Sequence, residues 1–188
     1  MKYGLKTIRE RAGSGNTLRR VIILGCPGSG KSTFAEKLQR CTGLPLTHLD
    51  MIWWKEDKTH VTRSEFDFKL AAVLGRDEWI IDGDYSRTYA VRLSACDAVF
   101  FLDYGEAECL LGIQERIGQA RPDMPWTEDT LDPELVEEVH KYGDIQRPVI
   151  LKLLRQHPEK ETHIFHSRAE AEQWLTAHSI CISADQTM

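Results

Sequence analysis

Apolar residues fall along this chain in two textures, short unbroken runs and longer stretches at helical spacing. The runs lie at 20–24, 46–49, 79–81, 98–102 and 163–165, each short enough for one buried strand. Between them, 31–41 sets Phe34, Ala35 and Leu38 on one helical face, and Gly43 and Pro45 close it. The same spacing predicts helices over 63–75, with Phe66, Leu70, Val73 and Leu74 inward, and over 106–117, 134–157 and 168–178. The 134–157 helix is expected to break at Gly143 or Pro148, because proline removes a donor and crowds the preceding turn. Residues 180–182 are a candidate edge strand. Strands that are apolar throughout, alternating with helices, predict an α/β fold with a parallel sheet covered on both faces.

Two stretches lack this pattern. Residues 1 to about 19 mix glycines with basic residues and read as a flexible N-terminal extension to a domain over 20–188. Residues 118–132 hold Pro122 and Pro125 and read as a loop able to serve as a lid.

Composition narrows the classes. At 188 residues, 41% hydrophobic and 28% charged, the chain suits one globular domain. A net charge of −5 argues against nucleic-acid binding through a global positive field. No apolar run approaches the length of a membrane span and no secretory signal opens the chain. The five cysteines are odd in number and contain no C-x-x-C pair, so free thiols in the cytoplasm are the expectation.

The strongest chemical signal follows the first strand: Gly25-Cys26-Pro27-Gly28-Ser29-Gly30-Lys31-Ser32, a complete phosphate-loop pattern with a strand before it and a helix after it. Glycines let successive backbone N–H groups turn inward, and the helix start adds its free donors. Gly25, Pro27, Gly28, Ser29, Gly30, Lys31, Ser32 and Thr33 are therefore the expected cradle for ATP. Lys31 is expected at the β- and γ-phosphates and Ser32 on Mg²⁺, a cation that takes oxygen ligands. Cys26 is expected to contribute backbone, with a redox role as the alternative.

Ligands of an open parallel sheet sit beyond the carboxyl ends of its strands. Asp50, Asp82 and Asp103 stand at such ends. Asp82, after Trp79-Ile80-Ile81, suits a second support for Mg²⁺, and Asp50 suits an acceptor hydroxyl as its orienter or base. Asp103 reads as a turn former. Arg116 and Arg121 flank the start of the loop, and Arg87 follows the third strand, so all three are candidates to meet the transferred charge. Arg63 and Arg92 read as surface residues. Trp53, Trp54 and Tyr85 are read as core, with stacking on a planar acceptor as the other possibility.

Together these segments resemble the nucleoside monophosphate kinase-like P-loop proteins, and among them the adenylate kinase-related group labelled "DNA topology modulation protein". The marks are the phosphate loop through Thr33, then His48-Leu49-Asp50-Met51-Ile52-Trp53-Trp54, Trp79-Ile80-Ile81-Asp82-Gly83-Asp84-Tyr85-Ser86-Arg87-Thr88, and Arg121-Pro122-Asp123-Met124. The resemblance implies a three-layer α/β/α fold with a five-stranded parallel sheet, an acceptor region around 50–75, a short lid around 117–132 and a kinase-type site. The chain departs from the group in carrying Asp84 in place of Asn, Tyr104-Gly105 in place of Pro-Arg, and no arginine near Gly112. Those changes weaken the positive field that a phosphorylated acceptor would need.

The functional expectation is an ATP- and Mg²⁺-dependent phosphotransferase acting on a nucleotide, nucleoside or other small acceptor. The alternative is a nucleotide-dependent regulatory ATPase or switch linked to DNA topology, although neither a basic stripe nor a γ-phosphate sensor is evident. No membrane partner is expected, and nothing in the sequence sets the oligomeric state.

Overall fold

The computed structural model describes residues 18–179; the candidate edge strand at 180–182 and residues 1–17 of the extension lie outside that span. Five strands form one parallel sheet in the order β2-β3-β1-β4-β5. They are β1 (Arg20–Gly25), β2 (Leu46–His48), β3 (Trp79–Asp82), β4 (Ala98–Leu102) and β5 (Glu161–Phe165). The helices are α1 (Lys31–Thr42), α2 (Leu49–Trp53), α3 (Arg63–Leu74), α4 (Tyr89–Ala95), α5 (Glu106–Glu115), α6 (Pro133–Tyr142), α7 (Gln146–Gln156) and α8 (Arg168–Ser179). From β1 the chain crosses first toward β2 and thereafter in the opposite direction. Right-handed crossovers then put α1 on one face and α3, α4 and the α5–α7 connection on the other. After β5, α8 packs beside α1. The architecture is α/β in three layers, as the apolar runs require.

The two central strands hold the core. Val21, Ile22, Ile23 and Leu24 are fully buried, as are all five residues of β4. Each large aliphatic side chain removed from water this way contributes about 1.5–3 kcal/mol. Phe34 of α1 meets Phe100 of β4 at 5.2 Å between ring centroids, and Trp174 of α8 meets the same ring at 4.8 Å, which closes one face.

Four readings differ from the pattern-based one, at residues 18–19, the second strand, helix α4 and the fifth strand, while the break in the long helix falls at one of its two expected places. Leu18 is 1% exposed and the Arg19 carbonyl accepts from the Trp79 N–H at 2.8 Å, so these two residues belong to the domain rather than to the extension. The second strand ends at His48, and residues 49–53 coil into one helical turn that carries Asp50. Helix α4, preceded by a 3-10 turn over Ser86–Thr88, went unread because its inward face includes the charged Arg92 beside Tyr89 and Leu93. The long helix divides after Tyr142, at Gly143. Pro148 instead sits in the first turn of α7, where a missing N–H leaves no bond unmade. The fifth strand starts at Glu161, two residues before its apolar part.

Candidate active site

The direction of the crossover connections reverses around β1, which opens a crevice at its carboxyl end. A cleft of about 1490 Å³ lies there, between the phosphate loop, the ends of β3 and β4, the lid and the start of α6.

The loop's shape follows from its glycines. Gly25, Gly28 and Gly30 adopt φ of 153°, 80° and 86°. At Gly28 the constraint is also steric, since a Cβ there would lie 2.0 Å from the Cys109 carbonyl oxygen. Helix α5 presses on the loop from outside, and a Cβ on Gly112 would lie 2.0 Å from the Gly28 oxygen. Gly30 caps α1 without a side-chain acceptor, and the first turn holds no acidic residue, so its leading N–H groups face an anion-ready space. Lys31 reaches back across the loop, its Nζ donating to the Cys26 carbonyl at 2.9 Å. The Cys26 thiol is buried; contact with the Cys109 thiol, then burial, push it above its ordinary pKa. That leaves its backbone as what it offers the loop.

Parallel register places His48 opposite Asp82, each the last residue of its strand. His48 Nδ1 and Asp82 Oδ2 are 2.9 Å apart. Burial lowers the His48 pKa, but the bond to Asp82 and its charge outweigh this and raise it overall. The Asp82 side chain is 4% exposed, and its other oxygen, Oδ1, is sealed without a hydrogen-bond partner. A buried carboxylate oxygen of that kind suits a cation. Among the described residues no three His, Cys, Asp or Glu side chains converge as a metal cage. Magnesium at Ser32 and Asp82 would therefore take its remaining ligands from phosphate and water, its usual habit.

Asp50 enters the cleft from the first turn of α2 and accepts from the Tyr85 hydroxyl at 2.7 Å. Burial raises its pKa against that bond, with Asp82 adding repulsion. Tyr85 is held by a loop whose carbonyls converge on Arg92. The guanidinium donates to Gly83 O at 2.8 Å, to Asp84 O, and to Thr88 Oγ1 at 2.9 Å. Arg92 is wholly buried, so the surface role expected from the sequence is corrected: it fixes the loop after β3.

The lid arginines converge on one carboxylate. Arg116 Nε lies 2.8 Å from Glu128 Oε2 and Arg121 Nη2 lies 3.3 Å from the same oxygen, while Asp123 stands 3.6 Å from Arg121. Burial, then repulsion from Arg121, lower the Arg116 pKa despite Glu128. Two cations packed this closely are prepared to meet more negative charge.

Lys31, Ser32, Asp50, Asp82, Arg116 and Arg121 thus line one cleft. Arg87 is placed elsewhere: it forms a two-pronged pair with Asp67 of α3 at 2.6 and 3.0 Å and faces a side cavity bounded by Arg63, Trp53 and Phe66. Asp103 is turned away from the cleft and clasped by Arg147 at 2.7 and 2.9 Å, a structural role as expected. Trp53 combines the two readings given to it, packing edge-on to Phe66 and stacking on His60 at 4.4 Å while lining the cleft. Trp54 meets Trp126 of the lid edge-on at 5.4 Å. Sequence reasoning missed Asp123, Trp126 and Glu138 as cleft residues. Only Asp123 carried a signal, through the Arg-Pro-Asp-Met segment.

No family model matches the chain, and no curated protein does. Among solved structures, shikimate kinase from Acinetobacter baumannii in complex with shikimate superposes with a TM-score of 0.58 at 14% identity. That match covers 86% of this chain and 90% of the other. A sugar kinase from Janibacter sp. HTCC2649, solved without ligand, covers 88% of this chain and 94% of its own at 17% identity. Its TM-score of 0.47 is too low to carry an argument. The first likeness is one of fold, a five-stranded parallel α/β architecture shared with a kinase, and it does not bear on the narrower DNA topology group. No helix of the described residues is long and apolar enough to cross a membrane.

Proposed function

We propose that the protein is an ATP-dependent phosphotransferase that moves the terminal phosphoryl group to a hydroxyl of a small acceptor. The observation that supports this most is the shared cleft: an anion-ready loop on one side, Asp50 on the other, and two lid arginines between them. Lys31 would leave the Cys26 carbonyl for the β- and γ-phosphates. Ser32 and Asp82 would hold Mg²⁺, which, when bound, would supply neutralisation of the phosphate oxygens. Asp50 takes the proton of the acceptor hydroxyl as its oxygen bonds to the terminal phosphorus. The bond from that phosphorus to the bridging oxygen breaks, and ADP departs with the electron pair. The raised pKa of Asp50 suits it as a base. Arg116 and Arg121 would turn from Glu128 toward the charge that develops on the moving group.

ADP formation with Mg·ATP and a panel of nucleosides, monophosphates and small alcohols tests this reading. Turnover that requires one acceptor supports it, and acceptor-independent turnover supports a regulatory ATPase instead. Lys31→Ala should abolish turnover; wild-type activity in that variant would refute the placement of the phosphates.

A further inference from the structure

The phosphotransferase reading leaves one property of the cleft unused, the sign of its charge. Carboxylates outnumber basic side chains along the lining, and most of the basic ones are already engaged. Lys31 donates within the loop, Lys37 pairs with Glu172, Arg168 with Glu115, and Arg116 and Arg121 with Glu128. Among the described residues Lys58, on the rim, is the lining cation without a carboxylate or carbonyl partner. The same cleft presents Asp50 and Glu138.

Glu138 of α6 lines the cleft and, among the described residues, has no hydrogen-bond or ion-pair partner. Although exposed to that space, it is surrounded by enough protein for burial, then Asp84 and Asp50, to raise its pKa against the opposing charge of Lys31. Asp84 and the deeply buried Asp82 each have an Oδ1 sealed from solvent without a hydrogen-bond partner. Mg²⁺ would answer Asp82, and Lys31 lies near Asp84. Among the described residues Glu138 has no ion-pair partner of its own, and Lys31 acts on it only through its field. Trp53 and Tyr85 line the same cleft with their rings 6.2 Å apart; His60 stacks on one face of Trp53 and Phe66 on one face of Tyr85, and it is the opposite faces whose negative charge attracts cations.

We infer that the acceptor is a hydroxyl compound carrying an ammonium group, held by Glu138 and the rings of Trp53 and Tyr85 while its hydroxyl lies at Asp50. This inference rests on the phosphotransferase reading for the fate of the hydroxyl, but the ammonium site is a binding statement of its own. It disfavours phosphorylated and carboxylated acceptors, which would meet Asp50 and Glu138, with Lys58 on the rim as the unpaired cation of the lining.

A matched series tests it: glucosamine, glucose and glucuronate, with ethanolamine and serinol as smaller ammonium alcohols. Binding is followed through tryptophan fluorescence without nucleotide, and transfer through ADP release with Mg·ATP. At least one ammonium alcohol should bind about tenfold or more tighter than glucose, with glucuronate weakest, since a charge-assisted hydrogen bond to a carboxylate is worth a factor of that order. Glu138→Gln should erase the preference and Glu138→Asp should keep most of it, in variants whose unfolding curves match the wild type. No preference for ammonium compounds, a preference for glucuronate, or a preference that survives Glu138→Gln would overturn the site. Ammonium-selective binding without transfer to any compound would uphold the site and sink the phosphotransferase reading. Transfer to an anionic acceptor would do the reverse.

Discussion

Replacing Arg92 by methionine tests how the loop after β3 is held. Methionine keeps most of the volume and none of the donors. The guanidinium now donates to the Gly83 and Asp84 carbonyls and to Thr88 Oγ1, with a longer contact to Tyr85 O at 3.4 Å. It also lies 5.5 Å from the centre of the Tyr89 ring. Each buried acceptor stripped of its partner costs about 1–3 kcal/mol. Against this stands the gain from no longer burying a charge, a real cost here because desolvation pulls the Arg92 pKa down to about 10. Breaking a buried charged network by removing one member generally costs about 3–5 kcal/mol. With three firm bonds and retained volume, the lower end, about 3 kcal/mol, is the expectation. For a urea slope of about 2 kcal/mol/M that is a midpoint shift of about 1.5 M. The loop also carries Tyr85, which holds Asp50, so phosphoryl transfer should fall through kcat with little change in nucleotide affinity. Urea unfolding followed by tryptophan fluorescence, together with steady-state kinetics, reads both effects. A stability loss below about 1 kcal/mol at an unchanged slope would mean that the buried charge cancels its own bonds, and the account of Arg92 as the loop's anchor would be wrong.

Three further outcomes follow from the same geometry. Gly112→Ala adds a Cβ 2.0 Å from the Gly28 oxygen, and because backbone cannot swing aside it should cost about 1–3 kcal/mol and weaken ATP binding from outside the loop; unchanged affinity by calorimetry would show that α5 yields freely. Asp50→Asn should abolish transfer yet raise stability at neutral pH, because burial raises the Asp50 pKa and its charged form is the costly one. That advantage should fade as pH falls through the folded pKa toward about 4, and unfolding midpoints at pH 7 and 4.5 would reveal a wrong sign. His48 has a raised folded pKa, so its pairing with Asp82 stabilises fully below about 6.5 and progressively less as pH rises through the folded value. The stability difference between wild type and His48→Gln should therefore shrink from pH 6 to pH 9, and a difference that grows with pH would contradict the pairing.

The sequence reveals those parts of this fold in which one face of an element is uniformly apolar. The central strands qualify, because both faces of β1 and β4 are covered and no polar residue interrupts them. The phosphate loop qualifies for another reason: its glycines are required by backbone angles and by contact with α5, so the pattern is local. Helix α4 fails the test because its inward residue at 92 is an arginine satisfied by carbonyls of the preceding loop, a solution that periodicity counts as exposed. Asp50 was identified, but on a strand end and not on the helical turn that aims it at the cleft. Glu138 could not be found at all. On α6 it stands among Glu134 and Glu137 as one more acidic residue, and only the packing of α6 against α5 turns it toward the cleft.

The departures from the resembled group take on physical meaning in this light. An arginine near position 112 is sterically barred, because α5 approaches the phosphate loop until Gly112 meets the Gly28 oxygen. The carboxylate at position 84 is sheltered: Arg92 neutralises it from behind, Lys31 from the side of the loop, and burial holds its pKa up. On the proposed reading the loop, Lys31 and Asp82 hold the triphosphate, while the same cleft presents Asp50 and Glu138 to the acceptor. A site so divided favours a donor rich in negative charge and an acceptor that brings positive charge of its own.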